Sequence, residues 1–223
     1  MKKTLIFLVI ISFCISCKKD NPTDPKVNNN ETVTIGTQIW MVKNLDVDHF
    51  RNGDPIPEVK DSAEWAALTT GAWCYYNHDP ALGAIYGKLY NWYAVNDPRG
   101  LAPVGWHVPS DNEWTQLTDR LGGENVAGGK LKTIGTKESS NGLWKIPNTG
   151  ATNESGFSAL PGGCRNGNDG SFYDVGGNGS WWSATEYNAT TAWCRVLFYE
   201  GAYVNRYNVD KGYWFSVRCV RDF

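Results

Sequence analysis

The sequence predicts an α+β domain over residues 32–223, with about two short helices, then an antiparallel β-rich half with long loops between strands. Three observations carry that expectation. Two helix-start patterns lie in the first half, Asp61-Ser62-Ala63-Glu64 and Ser110-Asp111-Asn112-Glu113. From Gly142 onward, short β-prone runs alternate with Gly, Asn and Ser. The chain also carries 11 Trp and 11 Tyr, whose rings bury large areas and so supply a core.

Lys2 and Lys3 precede an apolar run from Leu5 to Phe13, and Lys18-Lys19-Asp20 ends it. A membrane span needs roughly 20 apolar residues, so this shorter run reads as a secretory signal. Cys14-Ile15-Ser16-Cys17 resembles the bacterial lipobox, with Cys14 where that pattern prefers Leu. The resemblance implies a signal peptide over 1–16 and a diacylglycerol on Cys17. Residues 17–31 are polar, with two prolines and an Asn run, and read as a flexible tether. Lys18 stands where an aspartate retains some lipoproteins at the inner membrane. The expected address is therefore the cell envelope, at the outer membrane, with the lipid as anchor and the domain outside the cytoplasm.

Within the domain, β-prone runs flank Gly36-Thr37 and predict a hairpin. Asn52-Gly53-Asp54-Pro55 signals a turn. Asp61 caps a short helix on which Trp65 and Leu68 share a face, with Glu64 placed to bond back. Ala72 to Tyr76 reads as a strand. Leu89 to Val95 leans to a short helix, although its pattern also admits a strand. Ser110 and Glu113 form a full capping box before Trp114, Leu117 and Leu121, and Gly122-Gly123 ends that helix. Strands are expected over Phe157–Leu160, Phe172–Val175, Trp181–Ser183, Ala192–Phe198, Ala202–Asn208 and Trp214–Arg221. Asn168-Asp169-Gly170 and Tyr199-Glu200-Gly201 are hairpin turns.

The formal charge moves from -2 to -4 on loss of the signal, because Lys2 and Lys3 are the only charged side chains in it. No block of like charge stands out, so nucleic acid is not an expected partner. His49, His78 and His107 have no zinc-type spacing. Cys74, Cys164, Cys194 and Cys219 remain once Cys14 and Cys17 are set aside, and outside the cytoplasm they suggest two disulfides. No G-x-S-x-G or H-E-x-x-H is present. Glu64 and Glu113 read as helix caps and His107 as a packed or loop residue, so no enzyme is expected.

Seven motifs in order resemble one family. They are Val33 to Gly36 with Gln38, Trp40-Met41 and Lys43-Asn44-Leu45; Tyr75-Tyr76-Asn77; Tyr86 to Trp92; Gly105 to Ser110 with Glu113-Trp114; Gly156 to Gly163; Trp181-Trp182-Ser183 with Thr185-Glu186; and Ser216 to Asp222. Together they look like the Fibrobacter succinogenes major paralogous domain, a family of exported lipoproteins. More distantly, Trp106 to Trp114 and Phe215 to Arg218 resemble two runs of the formylglycine-generating enzymes. That likeness implies a C-type-lectin-like variant of the α+β fold, its short helices packed on a twisted antiparallel sheet with long loops. Lectin-like folds often tie the last strand to an early element, which implies Cys74–Cys219; Cys164 and Cys194, both in β-like contexts of the C-terminal half, are expected to pair with each other.

The expected function is a non-catalytic binding domain for glycan or protein ligands. Candidate residues are Arg165, Asn166, Asn168, Asp169, Trp181, Trp182, Tyr203 and Tyr207. Asn and Asp can bond hydroxyls, and exposed aromatics can stack on sugars or anchor a protein. Each also has a plain structural reading, the polar residues as turns and the aromatics as core. A structural or assembly protein of the envelope is the alternative. A copper-dependent oxidase using Cys164 and Cys194 is the lesser one, since copper(I) prefers thiolates. No cofactor is expected. Asn168, Asp169 and Asp174 are hard ligands of the type calcium takes, without a calcium-loop spacing. If the N-terminal reading holds, Cys17→Ala abolishes metabolic labelling of the protein by a fatty acid; undiminished labelling overturns it.

Overall fold

The computed structural model describes residues 31–222. The signal segment, Cys17 and the tether up to residue 30 lie outside the described residues. The first hairpin pairs β1 (Thr32–Ile35) with β2 (Gln38–Met41) across Gly36-Thr37. Gly36 has φ +64, the left-handed value that a two-residue hairpin turn needs and glycine tolerates. These strands join β5 (Trp106–His107) and β12 (Val220–Arg221) in the order β1-β2-β12-β5. The first and last strands of the domain thus lie in one sheet.

A second sheet has the order β3 (Trp73–Cys74), β4 (Leu89–Asn91), β11 (Trp214–Phe215), β6 (Cys164–Arg165), β7 (Phe172–Tyr173). The third is β10 (Asn205–Asp210), β9 (Thr191–Phe198), β8 (Asn178–Glu186). Every ladder between these strands is antiparallel. The expected α+β class is the observed one, but a single sheet is replaced by three small ones. Phe157–Leu160 forms no strand and contributes only a bridge from Ala159 to Lys132.

The described residues hold five α-helices rather than about two. Asp61 caps α1 (Ser62–Ala66) by accepting from the Ala63 and Glu64 amides. The α2 helix (Pro80–Tyr86) starts at Asp79 with proline in its first turn. Leu89–Val95 is divided, β4 running directly into α3 (Trp92–Val95), with Asn91 Oδ1 accepting from the Ala94 amide at 3.0 Å. The capping box on α4 (Asp111–Arg120) is complete. The α5 helix (Glu124–Leu131) contains Gly128-Gly129, ordinarily a helix-weakening pair. A Cβ on Gly128 would fall 2.2 Å from the Tyr203 carbonyl, so packing demands the glycine.

Trp181 and Trp182 are consecutive on β8 and therefore point to opposite faces. Trp181 joins Trp40, Trp114, Leu117 and Phe157 in one core. Trp182 joins Tyr90, Trp92, Trp106 and Phe215 in another. A third cluster holds Trp65, Trp214, Tyr76 and Leu89. One strand thus fills two cores.

The four described cysteines are free thiols, which corrects the expected disulfides. Cys74 packs with Trp65 and Trp214 while Cys219 packs with Trp182, so the two lie in separate clusters. Cys164 on β6 pairs with Tyr173, whereas Cys194 on β9 pairs with Trp182 and Tyr207. They meet the same core from different sheets without bonding. Burial pushes all four thiols up to about 12.

Several buried cations bind backbone carbonyls instead of carboxylates. Arg218 donates from Nη1 to the Met41 and Phe157 carbonyls at 3.1 and 2.7 Å, and from Nη2 to Asn44 Oδ1 at 2.8 Å. Lys132 Nζ donates to the carbonyls of Thr149, Phe198 and Gly201 at 2.9–3.0 Å. Burial lowers Arg218 to about 9 and Lys132 to about 8. Arg218→Lys keeps the charge and loses the planar fork, which should cost about 2–4 kcal/mol. Guanidinium chloride unfolding should then show a lower midpoint with an unchanged slope; an unaltered midpoint contradicts the assignment.

Candidate functional site

The β6–β7 turn brings together part of the surface expected from sequence. Asn166 Oδ1 accepts from the Asn168 amide at 2.7 Å, and Asp169 Oδ1 from the Ser171 amide at 2.9 Å. These side-chain caps fix the turn and leave Asn168 and Asp169 exposed, with Asn166 half-buried. Tyr173 is 44% exposed, and its hydroxyl lies 3.4 Å from Asp169 Oδ2. Gly167 packs on the backbone of Gly212 and Tyr213, where Asp210 Oδ1 accepts from the Gly212 amide at 2.7 Å. The result is a polar pole of two abutting turns carrying Asn168, Asp169, Tyr173, Asp210 and Tyr213. Burial raises the Tyr213 phenol, and nearby Asp169 and Asp210 raise it further.

Three expected ligand residues are structural instead. Arg165 is fully buried. It donates to the carbonyls of Gly170, Val59 and Lys60 at 2.8, 2.8 and 3.0 Å, and its guanidinium stacks 3.7 Å from the Trp65 ring centre. It therefore anchors the turn from beneath, and burial depresses its pKa. Trp181 and Trp182 are 1% and 0% exposed, because β8 is covered on both faces. Their indole nitrogens donate inward, to Asn44 Oδ1 and to the Tyr90 carbonyl.

Tyr203 and Tyr207 are exposed but do not share the pole. Tyr203 lies beyond the start of β10, while the 210–213 turn follows its end. That strand alone, at about 3.3 Å per residue, separates them by roughly 17 Å. Tyr207 sits midway, its hydroxyl donating to Asn205 Oδ1 at 3.2 Å. Among the described residues, no three or more His, Cys, Asp and Glu side chains form a group able to hold a metal ion. Asp174 spends Oδ2 on Asn178, and Asp169 spends Oδ1 on Ser171.

Two features carried no sequence signal of their use. A groove of about 550 Å³ lies between the β1–β2 turn and Gln116, Asp119 and Arg120 of α4. His107 forms the second: its Nδ1 is 2.7 Å from Asp222 Oδ1 and its Nε2 is 2.7 Å from Glu113 Oε1. Glu113 also accepts from Ser110 through Oε2, so helix cap and clamp are one network. Burial pulls the imidazole down, but Glu113 and Asp222 outweigh it and hold His107 above its ordinary value. Burial likewise raises Glu113, while Ser110 and His107 hold it below.

The His107 contribution to stability is therefore full below its unfolded pKa of about 6.5 and is lost as pH rises through the higher folded value. The Glu113 contribution is present above about 4.3 and is lost as pH falls through its lower folded value. Thermal unfolding across pH should show this domain losing stability on the alkaline side. His107→Gln should flatten that limb, and a limb unchanged by the substitution contradicts the clamp.

A search of curated proteins finds no match for the chain. Residues 33–221 match the model of the Fibrobacter succinogenes major domain, nearly the full extent of the domain described above. The chain belongs to the Fibrobacter succinogenes major domain family.

Proposed function

We propose that this chain is an envelope-anchored lipoprotein whose domain binds glycan or protein ligands without catalysing a reaction on them. The carrying observation is the rigid, exposed β6–β7 turn, with Asn168, Asp169 and Tyr173 outward and Arg165 buried beneath. A turn fixed before binding loses little entropy on binding. We read the fold as a C-type-lectin-like variant. Its support is the pairing of β2 with β12 in one sheet and the long irregular segments between strands. The lipid anchor at Cys17 and the outer-membrane address rest on the N-terminal pattern. Among the described residues, no helix is long and apolar enough to cross a membrane.

The non-catalytic reading is supported by the state of the reactive side chains. A copper(I) or nucleophilic role needs thiolate, and burial drives Cys164 and Cys194 the other way, up to about 12. His107 has both ring nitrogens engaged by carboxylates. An assembly role in the envelope is favoured by one observation: Ile134 and Ile146 are 62% and 54% exposed, an apolar display suited to a protein partner.

The test is a glycan array and an envelope-protein cross-linking experiment with the full lipoprotein in detergent. Asp169→Ala should weaken the captured interaction about tenfold, or about 1.4 kcal/mol. Failure to capture either a glycan or an envelope protein sinks the proposal.

A further inference from the structure

The third sheet presents a second polar and aromatic surface. Residues alternate along β9, so Cys194 faces the core that holds Trp182, and Trp193 and Arg195 face the other way. Register places Asn208 opposite Trp193 and Arg206 opposite Arg195 on that same face. The α4 helix covers the end of this face that carries Arg195 and Leu197, and Arg195 donates to Asp111 Oδ1 at 2.7 Å and to Thr115 Oγ1 at 3.0 Å. Past the helix, Arg206, Asn208 and Asp210 are exposed and Trp193 is half-buried.

The exposed part is held rigidly. The Arg206 guanidinium lies 3.5 Å from the Trp193 ring centre, a close stack. Its Nε and Nη2 both donate to Asp111, at 2.8–3.2 Å, which fixes the stack from behind. Tyr187, 52% exposed, meets Trp193 edge-on at 4.9 Å. Its amide donates to the Thr191 carbonyl at 3.0 Å, which pins the turn that carries it. A stack set before the ligand arrives avoids the ordering cost that loose side chains incur.

We infer that Tyr187, Trp193, Arg206 and Asn208 form a carbohydrate-binding platform for uncharged pyranose rings. The inference rests on the binding-module reading above and places the ligand on a different surface. The class follows from three properties. An aromatic and guanidinium surface suits the apolar face of a sugar ring. Asn208 offers both an amide donor and a carbonyl acceptor for ring hydroxyls. The charges on this face cancel, Arg195 and Arg206 against Asp111 and Asp210, so no net field selects an acidic ligand.

Affinity electrophoresis of the full lipoprotein in detergent tests this, through gels containing soluble mannan, xylan or mixed-linkage glucan, with polygalacturonate as the acidic control. At least one neutral polysaccharide should retard the protein. Trp193→Ala should cut that retardation about tenfold. Asn208→Ala removes no packed side chain, so it tests the platform even if the tryptophan variant unfolds, and it should cut retardation about threefold. Lys43→Ala, an exposed position outside both surfaces, should leave it unchanged. Retardation by polygalacturonate alone overturns the proposed class. Retardation insensitive to both platform variants but lost in Asp169→Ala overturns the platform while leaving the binding-module reading intact. No retardation by any neutral polysaccharide, alongside capture of an envelope protein, does the same.

Discussion

Carbonyl groups outside regular ladders have to find donors in the interior, and in this domain buried cations supply them. Many strands are only two residues long, so much of the chain turns inward without a strand partner. Arg218 joins residues 41, 44 and 157. Lys132 joins 149, 198 and 201, and Arg165 joins 59, 60 and 170. A hydrocarbon at any of these positions would leave two or three buried carbonyls without donors, each costing on the order of 1–3 kcal/mol. The irregular loops can be rigid because their carbonyls converge on planar or tetrahedral donor sets.

The same device separates what supports binding from what performs it. Arg165 lies under the β6–β7 turn, and its bond to the Gly170 carbonyl holds Asn168 and Asp169 in position. Asp111 does similar work under the third sheet's surface, holding Arg195 inside and Arg206 against Trp193. Both surfaces thus consist of exposed side chains on a backbone or stack fixed from within. That arrangement suits recognition of a ligand by shape and hydrogen bonding.

Local chemistry made much of the secondary structure legible. Gly36-Thr37, Asp61, the Ser110–Glu113 box and Asn168-Asp169-Gly170 each act within a few residues, and each appears where the pattern put it. The α5 helix escaped detection because Gly128-Gly129 is a breaker by propensity and a packing requirement by context. Leu89–Val95 resisted assignment because Asn91 ends a strand and caps a helix at once. On the functional surface, Asn166, Asn168 and Asp169 were readable from turn preference. Trp193, Arg206 and Asp111 were not, because their association depends on strand register and on a helix some 80 residues away in sequence.

By itself the sequence determined the α+β class, the family and the turns, since these depend on composition, motif order and contacts between near neighbours. Tertiary structure alone decided that Trp181 and Trp182 fill two cores, that Arg165 is a staple, and that the four described cysteines are free thiols. An aromatic or a guanidinium has the same local signature whether it faces solvent or core. Only the pairing of distant strands fixes which side it takes.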